Sequence, residues 1–165
     1  MDLSIRTMTK RDLPFLNRVR NECADTLHDD RTFTLDETNE WFKKTKPTFQ
    51  IAFYDRKRAG YIKIYDHSTR NKNVKISVNV PSEYKQYSLD KMIYDRLLSL
   101  FFNDYGFHKV SVELLSTNTT IINICELSGF VKSGVKRDEV TRNGEWVDST
   151  IMSITSTEYN KKTIK

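Results

Sequence analysis

Two periods of apolar residues run along this chain. Leu3 to Met8, Phe49 to Tyr54 and Gly60 to Tyr65 read as strands, and a period of two marks two more. It is cleanest from Val74 to Val80, where Val74, Ile76, Val78 and Val80 alternate with Lys75, Ser77 and Asn79 before Pro81 ends the run. Lys109 to Leu115 alternates in the same way, with Val110, Val112 and Leu114 against Ser111 and Glu113. Helical spacing appears in between. Leu16, Val19 and Cys23 give one apolar side to a helix that begins between Thr9 and Pro14. Thr34 and Glu37 form a capping box for a second helix, which carries Trp41 and Phe42, ends on Lys43, Lys44 and Lys46, and is closed by Pro47. Ser88 to Asn103 is the longest helix, with Leu89, Met92, Ile93, Leu97, Leu100 and Phe101 on one broad face and Gly106 at its exit. Asn118 is placed to cap a short helix with Ile121, Ile124 and Leu127 as its apolar stripe, and Gly129 ends it.

The turns complete this reading. Asp55-Arg56-Lys57-Arg58 joins two strands as a hairpin, and Asn143-Gly144 does so between Val131–Thr141 and Trp146–Thr155. The resulting order is β-α-α-β-β-β-α-β-α-β-β. It predicts an α+β fold whose mostly antiparallel, mixed sheet of about seven strands is flanked by about four helices.

Composition narrows the class. A chain of 165 residues is read as one domain, spanning 1–165, and no linker or repeat divides it. No run approaches the roughly 20 apolar residues of a membrane span, and Met1-Asp2-Leu3-Ser4 has no signal-peptide character. Cys23 and Cys125 lack C-x-x-C spacing, and His28, His67 and His108 are far apart, so neither a disulfide framework nor a metal site is expected. A reducing, cytoplasmic setting is the expectation. The net charge of +5 favours anionic ligands on average, but the basic residues are spread among 22 acidic ones. No aromatic-basic cluster points to nucleic acid.

The segment from Asn118 to Phe130, Asn-Thr-Thr-Ile-Ile-Asn-Ile-Cys-Glu-Leu-Ser-Gly-Phe, lies directly after a strand and before another. A strand, an Asn, seven residues, Glu-Leu-x-Gly-Phe and a further strand resemble the C-terminal half of the GNAT (GCN5-related) N-acetyltransferases. The element order resembles that family from Ile5 to Ile154. The resemblance implies acetyl-CoA as co-substrate, a primary amine as acceptor and a sheet that opens between its fourth and fifth strands. It also implies a monomer or homodimer with no membrane or nucleic-acid partner. Arg18-Val19-Arg20-Asn21, Phe33, Trp41-Phe42 and Gly144-Glu145-Trp146-Val147-Asp148 are similar to branches that acetylate amino-sugar nucleotides or protein N-termini. On that basis Asn21 and Trp41 are candidate substrate contacts. Trp41 is also an ordinary core residue type, and Asn21 an ordinary C-terminal helix cap.

Family members bind the CoA pyrophosphate on backbone N–H groups between the fourth strand and the long helix, in a turn of Arg or Gln, two residues, Gly, one residue, then Gly or Ala. Here the turn reads Lys85-Gln86-Tyr87-Ser88-Leu89-Asp90. Lys85 keeps the positive charge, while Ser88 and Asp90 replace the small residues. A carboxylate 4 Å from a phosphate repels it by about 1 kcal/mol in water and about 4 kcal/mol at a protein surface. Asp90 also has a plain role, complementing the helix dipole. The alternative to an enzyme is therefore a non-catalytic GNAT-fold binding protein with a degenerate phosphate turn.

For the chemistry, the resemblance assigns Val78, Asn79 and Val80 main chain to the thioester carbonyl and Asn118 to the cofactor. The family's proton-donating Tyr, seven residues after the Asn, corresponds to Cys125. Its thiol is a candidate general acid, or simply a small buried hydrophobe. No carboxylate lies between Val74 and Val80, so Glu113, acting through a water, is the candidate base, with His67 a weaker one. His108 reads as a surface turn residue.

Overall fold

The computed structural model describes residues 2–45 and 48–163, and for Gln86 and Tyr87 the backbone only. Its elements are β1 (Leu3–Thr7), α1 (Leu13–Glu22), α2 (Leu35–Thr45), β2 (Phe49–Tyr54), β3 (Lys57–Ser68), β4 (Asn73–Asn79), α3 (Leu89–Ser99), β5 (Lys109–Leu115), α4 (Thr119–Ser128), β6 (Val131–Arg142), β7 (Glu145–Thr155) and α5 (Ser156–Thr163). The strands form a seven-stranded sheet in the order β1-β2-β3-β4-β5-β7-β6. Among the described strands, β4 and β5 form the parallel pair, and every other neighbouring pair is antiparallel. This is the predicted α+β fold.

The period of two in β3 and β4 sorts their side chains to the two faces of the sheet. Ile62, Val74, Ile76, Val78 and Val80 pack with Leu89, Ile93, Leu97 and Phe101 under α3. Tyr61 joins Leu13, Leu16, Val19, Phe49 and Ile51 under α1 and α2. Trp41 stacks edge-on against Phe49 at 5.5 Å between ring centroids, as part of that second core. Among the described residues no helix is long and apolar enough to cross a membrane.

Several local features depart from the sequence reading. The first hairpin turn is only Asp55-Arg56, both in the left-handed region, so that Tyr54 already pairs with Lys57. The second uses Asn143 and Gly144, with positive φ at both, as a type I′ turn requires. The long helix is α-helical only to Ser99 and continues as a π-helical segment, Leu100–Asp104. A fifth helix, α5, was not expected because none of its residues is buried. Its start is nevertheless capped: the Thr155 N–H donates to Glu158 Oε2 at 2.8 Å, and the Glu158 N–H donates to Thr155 Oγ1 at 3.3 Å. On α4 the inward face is Ile121, Cys125 and Ser128 rather than the stripe ending at Leu127, which is 64% exposed. Asn118 is the N-cap residue, but its side chain makes no capping bond. Lys46 and Pro47, expected at the end of α2, lie outside the described residues.

The β4–β5 ladder holds for Asn73↔Lys109, Val74↔Val110 and Lys75↔Ser111 and then stops, although both strands continue. On its other side β4 stays paired with β3 as far as Tyr61↔Asn79. Gly60 permits that tight approach, because a Cβ there would lie 3.0 Å from the Asn79 carbonyl oxygen. The sheet thus forks beyond Lys75 and Ser111.

A buried carboxylate ties the first strand to this framework. Asp12 is fully buried and accepts hydrogen bonds from Arg6 Nη1 (2.7 Å) and Nη2 (2.9 Å), Arg58 Nε (2.8 Å) and the Thr9 N–H (2.8 Å). Burial alone would raise its pKa; Arg6, the Thr9 N–H and Arg58 overcome this and hold it well below the usual carboxylate range. Because the folded value is the depressed one, the stability it contributes is complete above about pH 4 and is lost as pH falls further. Asp12→Asn is expected to lower unfolding stability by about 2–3 kcal/mol at pH 7, less than for a wholly buried pair because both arginines reach solvent. Urea titrations at pH 7 and pH 2.5 check this: the gap between variant and wild type should shrink at the lower pH.

Candidate active site

The fork places two surfaces of different character at the end of β4. One leads to the turn before α3. Ser82–Tyr87 form a 3-10 turn, Ser88 follows at φ 52° and ψ 33°, and α3 begins at Leu89. Ser88, where the family pattern has Gly, therefore occupies the left-handed conformation that favours Gly, at roughly 1–2 kcal/mol for another residue. The turn is held down from α1. Glu22 Oε1 accepts the Ser82 N–H at 2.6 Å, and Arg18 reaches Glu83 at 3.0 Å. Met92 N–H closes the first helical turn on the Ser88 carbonyl, so Leu89, Asp90 and Lys91 have N–H groups without a helical acceptor. Lys85 is exposed beside them, and Gln86 and Tyr87 contribute their backbone to the same turn.

Asp90 is only 5% exposed, so its carboxylate is covered rather than displayed on the turn. Burial pushes its pKa up, opposed by its own backbone N–H and by Lys85. Beneath it lies Cys125, wholly buried, with its thiol pushed up to about 12 by burial. The fully buried Tyr94 from α3 brings its hydroxyl beside that thiol, makes no well-formed hydrogen bond there, and stacks edge-on against Phe130 at 5.8 Å. Cys125 and Tyr94 both keep their protons at neutral pH. Val78, Asn79 and Val80 have buried side chains and lie beyond the end of the β4–β5 ladder. Asn118 sits half-buried at the start of α4, with its side-chain amide free of any capping role.

The other face of the fork is polar. Asn79 Nδ2 donates to Ser77 Oγ at 3.2 Å on β4. On β5, Glu113 lies two residues past the last paired position, with its side chain 13% exposed. Its Oε1 accepts from Lys136 Nζ at 2.8 Å, and Lys136 also lies 3.6 Å from Glu139. Tyr65, next to the base of the fork, is pushed up to about 12 by burial and then by Glu113. His28, from the loop after α1, hydrogen-bonds Ser149 through Nε2, which stands 3.6 Å from Glu113 Oε1.

Of the residues singled out from sequence, Lys85, Ser88, Leu89 and Asp90 come together at the turn, and Glu113 stands at the fork. Asn21 exchanges two hydrogen bonds with the Phe33 backbone, at 2.8 and 3.0 Å, instead of capping α1. Trp41, half-buried on α2, packs against the second core. His67 is exposed within β3, which runs to Ser68, and His108 bonds Ser156 at the surface. His28, Tyr65, Tyr94, Lys136 and Ser149 were missed. The register of β5 with β7, Glu113↔Ile151 and Leu115↔Ser149, puts Glu113 and Ser149 on one face; nothing local in the sequence brings His28 to them.

The model of the acetyltransferase (GNAT) domain family matches residues 5–151. No curated protein sequence matches significantly. Solved structures with the same fold include spermidine N-acetyltransferase from Vibrio cholerae in complex with CoA and spermine, at TM-score 0.86 and 19% identity over 96% of this chain and 98% of that one. A chimera of the Vibrio cholerae spermidine N-acetyltransferase SpeG and hSSAT gives TM-score 0.86 and 19% identity over 97% and 99%. A second chimera of the same two proteins gives TM-score 0.81 and 18% identity over 97% and 99%. The family match covers most of the chain and includes the fork, the turn before α3 and α4, and on that ground the chain belongs to the GNAT acetyltransferase family and uses acetyl-CoA as its acetyl donor.

Proposed function

We propose that this protein transfers the acetyl group of acetyl-CoA to the primary amine of a small molecule that is cationic at neutral pH. The observation that carries this reading is Glu113. Its carboxylate stands at the open end of the fork and holds an ammonium there, that of Lys136 at 2.8 Å. An acceptor ammonium can take that place, since Lys136 has Glu139 to turn to. A small acceptor is favoured over an extended peptide because the loop after α1 is tied down across the strands. Arg142 donates to the carbonyls of Leu27 and His28, and lies 3.7 Å from Asp30. The polyamine substrates named for the Vibrio cholerae structures belong to this class of acceptor, as do amino-sugars.

On the donor side we assign the CoA pyrophosphate to the N–H groups of Leu89 and Lys91 at the start of α3, with Lys85 alongside and the Asp90 N–H held by its own carboxylate. The thioester carbonyl falls to the main chain around Val78–Val80, and Asn118 meets the pantetheine arm. Burial pushes the Cys125 thiol up to about 12, too weak an acid to protonate the departing thiolate, which takes its proton from the attacking amine or from solvent.

The test is release of free CoA thiol on incubation with acetyl-CoA and one of three amines: spermidine, glucosamine or a peptide with a free N-terminus. Turnover with a small amine, falling about 10- to 100-fold in kcat/KM for Glu113→Gln, is expected, in line with a hydrogen bond to a charged group. Turnover with the peptide alone, or with none of the three, overturns the reading.

The donor side yields a second expectation. Asp90 is a carboxylate whose folded pKa is raised, so its ionisation costs stability as pH rises above about 4. Asp90→Asn should raise Tm at pH 7 but not at pH 3.5, and should tighten CoA in calorimetry. Lys85→Ala should weaken CoA severalfold, by about 1 kcal/mol or less, and the deficit should fade with added salt. If both variants bind CoA as wild type does, the pyrophosphate is not held at this turn.

A further inference from the structure

The loop after α1 is held unusually firmly for a connection. Arg20 Nη2, from α1, donates to the Asp29 carbonyl at 2.9 Å, Asp29 pairs with Arg31 at 2.7 Å, and Arg142 of β6 grips the carbonyls of Leu27 and His28. These contacts fix the backbone on both sides of His28 and lay its ring over the strands at the fork. A connecting loop needs no such bracing; a loop that presents a working side chain does.

The ring itself is held on one side only. Nε2 bonds Ser149 Oγ on β7, where Ser149 is wholly buried, and stands 3.6 Å from Glu113 on β5. Nδ1 has no partner among the described residues, and 34% of the side chain is open to solvent. An ionised carboxylate beside Nε2 favours the tautomer with its proton on that nitrogen, which leaves the Nδ1 lone pair unprotonated and outward.

We propose that His28 is the base that removes a proton from the acceptor ammonium, its ring oriented by Ser149 and Glu113. This rests on the amine acetyltransferase reading and deepens it. An acceptor ammonium that reaches the open Nδ1 gives one proton to it, its N–H bond breaking as the Nδ1–H bond forms, and becomes a neutral nucleophile. Its lone pair attacks the acetyl carbonyl, and the C–S bond then breaks. The second amine proton neutralises the departing thiolate, so the products are the amide and free CoA thiol, and His28 returns its proton to solvent. The charged groups facing the ring suit this task. Burial holds the His28 pKa below its ordinary value, Glu113 and Glu139 oppose it, and Lys136 and Arg142 reinforce it. The imidazole is thus neutral at pH 7, as a base must be.

The experiment uses spermidine, glucosamine or the peptide, whichever wild type acetylates, and measures kcat/KM for the amine from pH 5.5 to 9.5. The His28 ring is titrated by NMR in parallel. In wild type the acid limb of the rate profile should coincide with the NMR midpoint of His28. His28→Gln should lower kcat/KM about 10²- to 10³-fold at pH 7, with the KM for acetyl-CoA unchanged and the deficit shrinking as pH approaches the pKa of the amine. Glu113→Gln, which removes a group that raises the His28 pKa, should move the NMR midpoint and the acid limb down together. A His28→Gln enzyme that keeps the acid limb and the rate overturns the proposal. So does a wild-type limb that misses the His28 titration, a result that needs no folded variant. Wild type inactive on all three amines fails the functional reading itself; an active wild type with an indifferent His28 fails only this inference.

Discussion

Everything specific about this molecule follows from one incomplete ladder. Parallel strands cannot be joined by a hairpin; they need a crossover, here α3, which must leave from the end of β4 and return at the start of β5. The two strands pair at only three positions before they part. That parting frees β4 backbone on the β5 side without exposing it to an edge, because β3 still covers the other side as far as Asn79. It also fixes where the N-terminus of α3 stands, directly beyond the fork, with first-turn N–H groups that lack an acceptor within the helix. The place of the turn before α3 is thus a consequence of connectivity more than of side-chain identity, and Ser88 takes there the left-handed conformation that glycine usually supplies.

The two faces of the fork are chemically unlike. Under α3 and α4 the groups nearest it, Cys125 and Tyr94, are wholly buried and hold their protons firmly. Under the loop after α1, the partly open Glu113, His28 and Lys136 pair with one another around Glu113, and His28 also bonds the buried Ser149. A dry thiol-and-phenol side suits an apolar, thioester-bearing arm, and a polar, charge-balanced side suits an ammonium that must lose a proton. The braces behind these faces are ionic: Arg18 with Glu22 and Glu83 behind the turn before α3, Arg142 with Asp30 behind the loop after α1. Asp12 with Arg6 and Arg58 ties β1, the start of α1 and β3 together at a distance from both.

Most of the architecture was legible along the chain. Alternation in Val74–Val80 and Lys109–Leu115 identified the two strands that part, the Thr34–Glu37 and Asn143-Gly144 signals located α2 and the last hairpin, and the Asn118-to-Phe130 segment carried the family resemblance. These are short-range matters of period, capping and turn chemistry, and adjacent residues settle them. The same reasoning failed where the signal was weak or displaced. α5 has no apolar stripe, and α4 turned its inward face from Leu127 to Cys125 and Ser128 because the neighbouring α3 and β7 decide which side is covered.

Sequence alone therefore determined the element order from β1 to β7, the alternation of the two strands that part and the turn where a helix N-terminus follows a strand. Only the tertiary structure decided that Asp90 is covered, that Ser88 is left-handed, and that Tyr94 stands beside Cys125. It alone also brought His28 to Ser149 and Glu113, residues 121 and 85 positions away along the chain. The physical reason is distance. Periodicity and capping act within a few residues, whereas burial, ion pairing and the aim of a loop side chain depend on elements that meet only after the sheet has closed around the fork.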